Sequence, residues 1–345
     1  MAVMAAAVVA GCSSTEKAQE TPETQPPQQT DGPSLNGTYR LEFDAKQRTA
    51  LGQPSPQEQN SSRNWAFRSH CGDAGCVATA TRLNNDGSAS DVQAELDFID
   101  GKWVMVLGED SKCNQGGQPA RVLGTWELEP QPDGTLTGMW TEITTGSDCP
   151  WVLQMPMKAT REGDVAEGVE VTDPSTLPPR RPSRPEGFHG SYTQTVTFDP
   201  PWRGEPADLT IDVKSYCVRN TDECAATQAV IKDGAVSQIT PLTFAGDRWT
   251  FRYPRPERTC PDGQPMQSIL NDEVLLPDPP TNPMTELTGT RRIEILEPCP
   301  GEELLTLDYR LNVPPPPPEG APAPPPEGAA APPAEPAPAE PTPTG

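Results

Sequence analysis

Ser69-His70-Cys71 and Cys76-Val77-Ala78-Thr79 return in the second half of the chain as Ser215-Tyr216-Cys217 and Cys224-Ala225-Ala226-Thr227. Each copy sets two cysteines around a short turn between two segments rich in small and β-branched residues. Working outward, Leu35-Asn36-Gly37-Thr38-Tyr39 pairs with Phe188-His189-Gly190-Ser191-Tyr192. Leu96-Asp97-Phe98-Ile99-Asp100-Gly101-Lys102-Trp103 pairs with Leu242-Thr243-Phe244-Ala245-Gly246-Asp247-Arg248-Trp249. Leu136-Thr137-Gly138 and Asp148-Cys149-Pro150 pair with Leu287-Thr288-Gly289 and Pro298-Cys299-Pro300. Tripeptides, tryptophans and cysteines agree in order, which is the signature of tandem duplication.

Within each half the apolar period is two. In the first, segments near 37–44, 63–70, 76–83, 93–99, 102–108, 121–129, 135–143 and 152–160 are β-branched or aromatic, and several alternate, as in Thr38-Tyr39-Arg40-Leu41-Glu42-Phe43. Asp100-Gly101 and Gln131-Pro132-Asp133-Gly134 supply hairpin turns between them. No segment holds an apolar period of 3.6 over a helix-length window. The expected fold is all-β: two tandem copies of a roughly eight-stranded antiparallel meander, closed into a barrel or a tight sandwich to hide its edges. The hairpin from Gly124 to Trp140, with Trp126 and Trp140 on its arms, is similar to those of small lipocalin- and avidin-type barrels.

Eight of the nine cysteines fall four to each half: Cys71, Cys76, Cys113 and Cys149, then Cys217, Cys224, Cys260 and Cys299. Four cysteines allow three pairings per half. The duplicated arrangement favours Cys71 with Cys76, Cys113 with Cys149, Cys217 with Cys224 and Cys260 with Cys299. In the chain-entropy view the longer loops contribute about 3 to 4 kcal/mol each. Zinc is the competing reading, weakened by the lack of C-x-x-C and by only two histidines, His70 and His189, at non-equivalent places.

The ninth cysteine, Cys12, follows an uncharged apolar stretch closed by Val9-Ala10-Gly11 and precedes Ser13-Ser14-Thr15. This fits a signal peptide over 1–11 and a lipobox, with the thiol carrying diacylglycerol. No Lys or Arg precedes the stretch, as expected if the natural start lies upstream of Met1. Residues 12–34 read as a polar tether, 35–165 as the first β-domain and 166–187 as a Pro-rich linker. Residues 188–313 read as the second domain, and 314–345 as a Pro/Ala/Glu tail in extended polyproline form, a spacer or an inert solubilising segment.

The chain of 345 residues carries 49 acidic against 26 basic residues, a net charge of −23, with 45 prolines and 34% hydrophobic residues. That excess of acid excludes a nucleic-acid footprint. The absence of repeated apolar runs of about 20 residues excludes a polytopic helical membrane protein.

The lipobox, the tether, the Ser-x-Cys…Cys-Val-Ala-Thr-Ala segment at 69–80, the Trp hairpin after Asp-Gly and the late Cys-Pro resemble secreted lipoproteins of mycobacteria and related actinobacteria. Similar modules occur as extracytoplasmic domains of their membrane-spanning Ser/Thr protein kinases. The resemblance covers roughly 35–312. It implies a binding or sensing role at the envelope and transfers no catalytic residue or cofactor.

The residues themselves carry no G-x-S-x-G, H-E-x-x-H, P-loop or G-x-G-x-x-G pattern. Trp103 and Trp249 occupy matching places, which suits a core role. Trp65, Trp126, Trp140 and Trp151 have no clear counterparts and are the candidate ligand contacts. The reading is a non-enzymatic, lipid-anchored binding, sensing or scaffolding module without cofactor or metal, on the extracytoplasmic face of the cell membrane. Its partners would be the membrane through Cys12 and an envelope protein, lipid or small molecule. The alternative is a lipocalin-like carrier of an apolar ligand.

Overall fold

The computed structural model describes residues 33–113, 117, 119–145, 149–199 and 204–312. The expected signal peptide, the lipidation site Cys12, nearly all of the tether and the Pro-rich tail lie outside the described residues.

The first barrel runs through β1 (Gly37–Phe43), β4 (Ser61–Gly72), β5 (Gly75–Leu83), β6 (Ala89–Ile99), β7 (Lys102–Lys112), β8 (Pro119–Pro130), β9 (Leu136–Thr145) and β10 (Trp151–Gly163), and closes where β10 pairs with β1. Two short strands, β2 (Thr49–Ala50) and β3 (Gln53–Pro54), form a hairpin hung on β10. The second barrel closes through β11 (Gly190–Phe198), β12 (Ala207–Cys217), β13 (Cys224–Lys232), β14 (Ala235–Ala245), β15 (Arg248–Thr259), β16 (Pro265–Leu275), β17 (Glu286–Ile295) and β18 (Gly301–Leu311). Each is an antiparallel meander in which consecutive barrel strands pair, the β2–β3 hairpin of the first being inserted between β1 and β4. Closure removes the free edges that such a meander would otherwise expose.

The repeated sequence features each have a structural job. Asp100 and Gly101 both take positive φ, the geometry of a type I′ hairpin turn. A side chain at Gly138 would run into the carbonyl of Glu127, and one at Gly289 into that of Glu273, which is why Leu-Thr-Gly is written twice. The serine of Ser-x-Cys ties down the chain entering each barrel. Ser69 Oγ accepts from Leu35 N at 2.8 Å, and Ser215 Oγ donates to the Phe188 carbonyl at 2.6 Å. Leu35 and Phe188, fully buried, thereby plug one end of their barrels.

All four disulfides form in the favoured pairing: Cys71–Cys76, Cys113–Cys149, Cys217–Cys224 and Cys260–Cys299. The eight thiols are thus used up and the zinc reading falls. Trp103 and Trp249 are fully buried, each edge-on to a phenylalanine (Phe98 at 5.2 Å, Phe244 at 5.3 Å), which makes them core residues.

The Pro-rich linker is laid against the first barrel: Thr79 and Thr81 donate hydroxyls to the carbonyls of Thr172 and Glu170. The barrels then meet face to face. Leu123, Ile143 and Val152 on the outer faces of β8 to β10 pack on Tyr216, Ala225 and Ile239 of β12 to β14. Around this apolar contact, Lys214 binds Glu127 at 2.8 Å, Arg121 binds Glu223 at 2.5 Å and Arg219 binds Asp97 at 3.1 Å. The β2–β3 hairpin joins in, with Leu51 O accepting from Ile239 N at 3.0 Å.

Candidate ligand cavity in the first barrel

Because strand side chains alternate, residues of one parity on β4, β7, β8 and β9 face the barrel interior. At the end fixed by Leu35 that interior is filled by Tyr39, Phe67, Leu96, Trp103, Leu128 and Leu136. Toward the other end the filling stops, leaving a cavity of about 350 Å³. One row of its wall can be read straight across the ladder: Met105 opposite Trp126, Trp126 opposite Trp140, and Trp140 opposite Met155. Trp65 stands edge-on to Trp126 with ring centroids 4.9 Å apart, and Phe43 edge-on to Trp140 at 6.3 Å. The next row outward is Leu107, Gly124 and Glu142. The missing side chain at Gly124 holds that row open.

Three of the four candidate tryptophans, Trp65, Trp126 and Trp140, therefore line one cavity. Trp151 does not join them. It is the first residue of β10, four positions out from Met155, and is 40% exposed beyond the mouth.

The sequence reading did not single out the charged rim. Arg63 and Arg82 stand on the β4–β5 wall, Glu109 and Glu142 on the β7–β9 wall. Burial raises the Glu142 carboxyl above its ordinary range, the neighbouring Glu109 charge adds to this, and the Arg48 guanidinium opposes it. The signal was present in the period: Arg63 and Trp65, Glu109, Leu107 and Met105, and Glu142 and Trp140 share parity. Only the closure of the sheet, however, brings these strands around one space. Among the described residues no three His, Cys, Asp or Glu side chains are grouped to hold a metal ion, and His70 and His189 lie outside the cavity.

The same register places in the second barrel are occupied differently. Where Trp126 faces Met105 and Trp140, Asp272 faces Phe251 and Arg291. Arg291 donates two hydrogen bonds to Asp272, at 2.8 and 2.7 Å. Gln194 donates to Tyr309 Oη at 2.6 Å, and Tyr309 donates on to Gln228 at 3.4 Å, all three buried. Burial, with the Asp272 charge, pushes the Tyr309 hydroxyl far up. Leu270, buried, stands where the first barrel has Gly124.

Residues 32–176 match the family model of the PknI serine/threonine-protein kinase sensor domain. Serine/threonine-protein kinase PknI of Mycobacterium tuberculosis and of Mycobacterium bovis is 30% identical over 184 residues, half of this chain but only 30% of the kinase. The monomer form of the M. tuberculosis PknI sensor domain is 30% identical, covering 43% of this chain and all of that one, with a TM-score of 0.37. The dimer form is 26% identical over 35% of this chain and 82% of that one, with a TM-score of 0.30. The matches fall on the sensor domain and not on a kinase domain.

Proposed function

With residues 32–176 carrying a sensor domain of the PknI kind, we propose that the chain is a non-enzymatic sensing module held at the extracytoplasmic face of the cell membrane by a lipid on Cys12. Its first barrel receives a small molecule. The observation that carries this reading is the convergence of Trp65, Trp126 and Trp140 on one cavity in the barrel that matches the sensor family. A cavity of about 350 Å³ lies within the size range of small-molecule sites, roughly 300 to 1,000 Å³, and aromatic walls are their usual lining. The second barrel, filled by its own ion pair and amide chain, serves as a rigid platform.

The carrier reading draws support from the same cavity. A carrier of long ligands, however, needs a barrel hollow through most of its depth, and Tyr39, Phe67, Trp103 and Leu128 fill the remainder of this one. That favours sensing.

Native mass spectrometry of the protein purified from its own membrane tests the reading. A retained small molecule at one per chain is the expected result. A protein partner in stoichiometric amount with no small molecule would replace the receiving cavity by an interaction surface. Anchoring is tested separately: Cys12→Ala should move the protein from the membrane to the soluble fraction, and unchanged membrane retention would rule the lipid anchor out.

A further inference from the structure

The cavity wall is polar on one side in a way that names a ligand class. On β4, Arg63 and Trp65 share the inner face, and Arg82 of β5 stands directly opposite Trp65 in the ladder. Trp65 is 3% exposed, and its indole N–H is buried without a hydrogen-bond partner. Among the described residues three indoles are buried without a partner, those of Trp65, Trp103 and Trp249; only Trp65 lines the cavity, where an acceptor can arrive with a ligand. Arg63 and Arg82, facing the same space, have no ion pair within the described structure. That wall thus offers three sets of donors, and its other polar side chain, Ser61, carries a hydroxyl and no charge. The opposite wall is apolar at depth (Met105, Trp126, Trp140 and Met155) and acidic at the rim, where Glu109 and Glu142 already repel each other under the partial compensation of Arg48. Those two acids push a further negative charge toward the arginines.

We propose that the cavity takes an anionic amphiphile: an apolar body among Phe43, Trp126, Trp140, Met105 and Met155, with a carboxylate or phosphate head accepting from Arg63, Arg82 and the Trp65 indole. This rests on the reading of the first barrel as the receiving module and specifies its ligand. Planar guanidinium groups bind such heads with paired, charge-assisted hydrogen bonds. A free fatty acid and the head of a phospholipid share this chemistry.

The test uses the full chain, tryptophan fluorescence and native mass spectrometry, with decanoate, decanol and decyltrimethylammonium as probes, and decyl phosphate to separate a phosphate head from a carboxylate. Decanoate or decyl phosphate should bind one per chain and at least about tenfold more tightly than decanol, since a charge-assisted hydrogen bond is worth that factor or more. Arg63→Gln with Arg82→Gln should remove the preference and leave decanol binding unchanged. Gly124→Leu, which installs the leucine that the second barrel carries at this place, should abolish binding with both barrels still folded by circular dichroism. Equal affinity for decanol or for the cationic probe, or no effect of the double arginine change, would overturn the anionic head and leave the cavity as a binding site. No binding of any probe, or binding undisturbed by Gly124→Leu, would remove the cavity itself as the receiving site.

Discussion

The two barrels share a strand order, a disulfide pattern and a buried tryptophan, and they differ in how they fill one end. In the first, Trp126 and Trp140 face each other across β8 and β9 and leave a space between themselves and Trp65. In the second, the same register pair is Asp272 and Arg291, closed by two hydrogen bonds and backed by Gln194, Tyr309 and Gln228. A gap leaves the side chains that line it without partner atoms on one side, and a guest that fits would supply them. A polar end whose groups satisfy one another gains nothing from a guest. Duplication supplied two equal frames, and side chains at a few inward positions left a space in one and filled the other.

The largest expected effect breaks the closed end. Asp272→Ala leaves the Arg291 guanidinium in the barrel interior without its carboxylate, and breaking a buried pair from one side costs about 3 to 5 kcal/mol. Denaturant unfolding of the full chain should show the second barrel melting first. A loss under about 1 kcal/mol would mean that the ion pair is not what closes this barrel.

A smaller effect is expected where the barrels touch. Tyr216 donates to Glu127 at 3.0 Å, and Glu127 also binds Lys214. Burial alone would raise the Glu127 carboxyl, but Lys214 and the Tyr216 hydroxyl outweigh it and hold it below the usual range. Burial, followed by the Glu127 charge, keeps the Tyr216 hydroxyl protonated well above its ordinary range. Tyr216→Phe keeps the ring in its contact with Leu123 and Ile143 and removes one hydrogen bond to a charged group, a loss of about 1.5 to 3 kcal/mol. Read by differential scanning calorimetry, it should separate the unfolding of the two barrels. If they still unfold together with no loss of stability, the apolar contact alone joins them.

Much of this comparison was legible in sequence because it is periodic. Alternation gave the eight strands, and Asp100-Gly101 gave a turn. Paired cysteines gave the staples, and Trp103 with Trp249 gave the two core anchors. The β2–β3 hairpin escaped because each arm is only two residues long, too short to show a period, and its turn rests on positive φ at Leu51 and Gly52. The Pro-rich linker reads as free chain by composition, yet its carbonyls find the hydroxyls of Thr79 and Thr81, a pairing no local pattern announces. The cavity was half visible: unmatched tryptophans marked Trp65, Trp126 and Trp140, but also Trp151. Deciding between them requires knowing where the barrel ends. The exchange of Trp126 and Trp140 for Asp272 and Arg291 appears only when the ladder register aligns the repeats.

The smallest expected effect concerns the rim of the open end and has a definite sign in pH. Burial, reinforced by Glu109, raises the Glu142 carboxyl above its unfolded value of 4.5. A carboxyl whose folded pKa is raised costs nothing when protonated in both states, below the unfolded value. The cost appears as pH climbs from that value and is complete above the folded pKa. Glu142→Gln should therefore stabilise the protein slightly at neutral pH, and the gain should disappear on acidification below the unfolded carboxylate range. No buried carboxyl occupies the matching place in the second barrel, where Ile293 stands. Ile293→Gln should instead destabilise at every pH. Thermal melts of the two variants across the acid range set the open end against the closed one. A Glu142→Gln gain that persists in acid would locate its origin in packing and not in charge, and the repulsion between the two rim acids would then no longer account for where an anionic head settles.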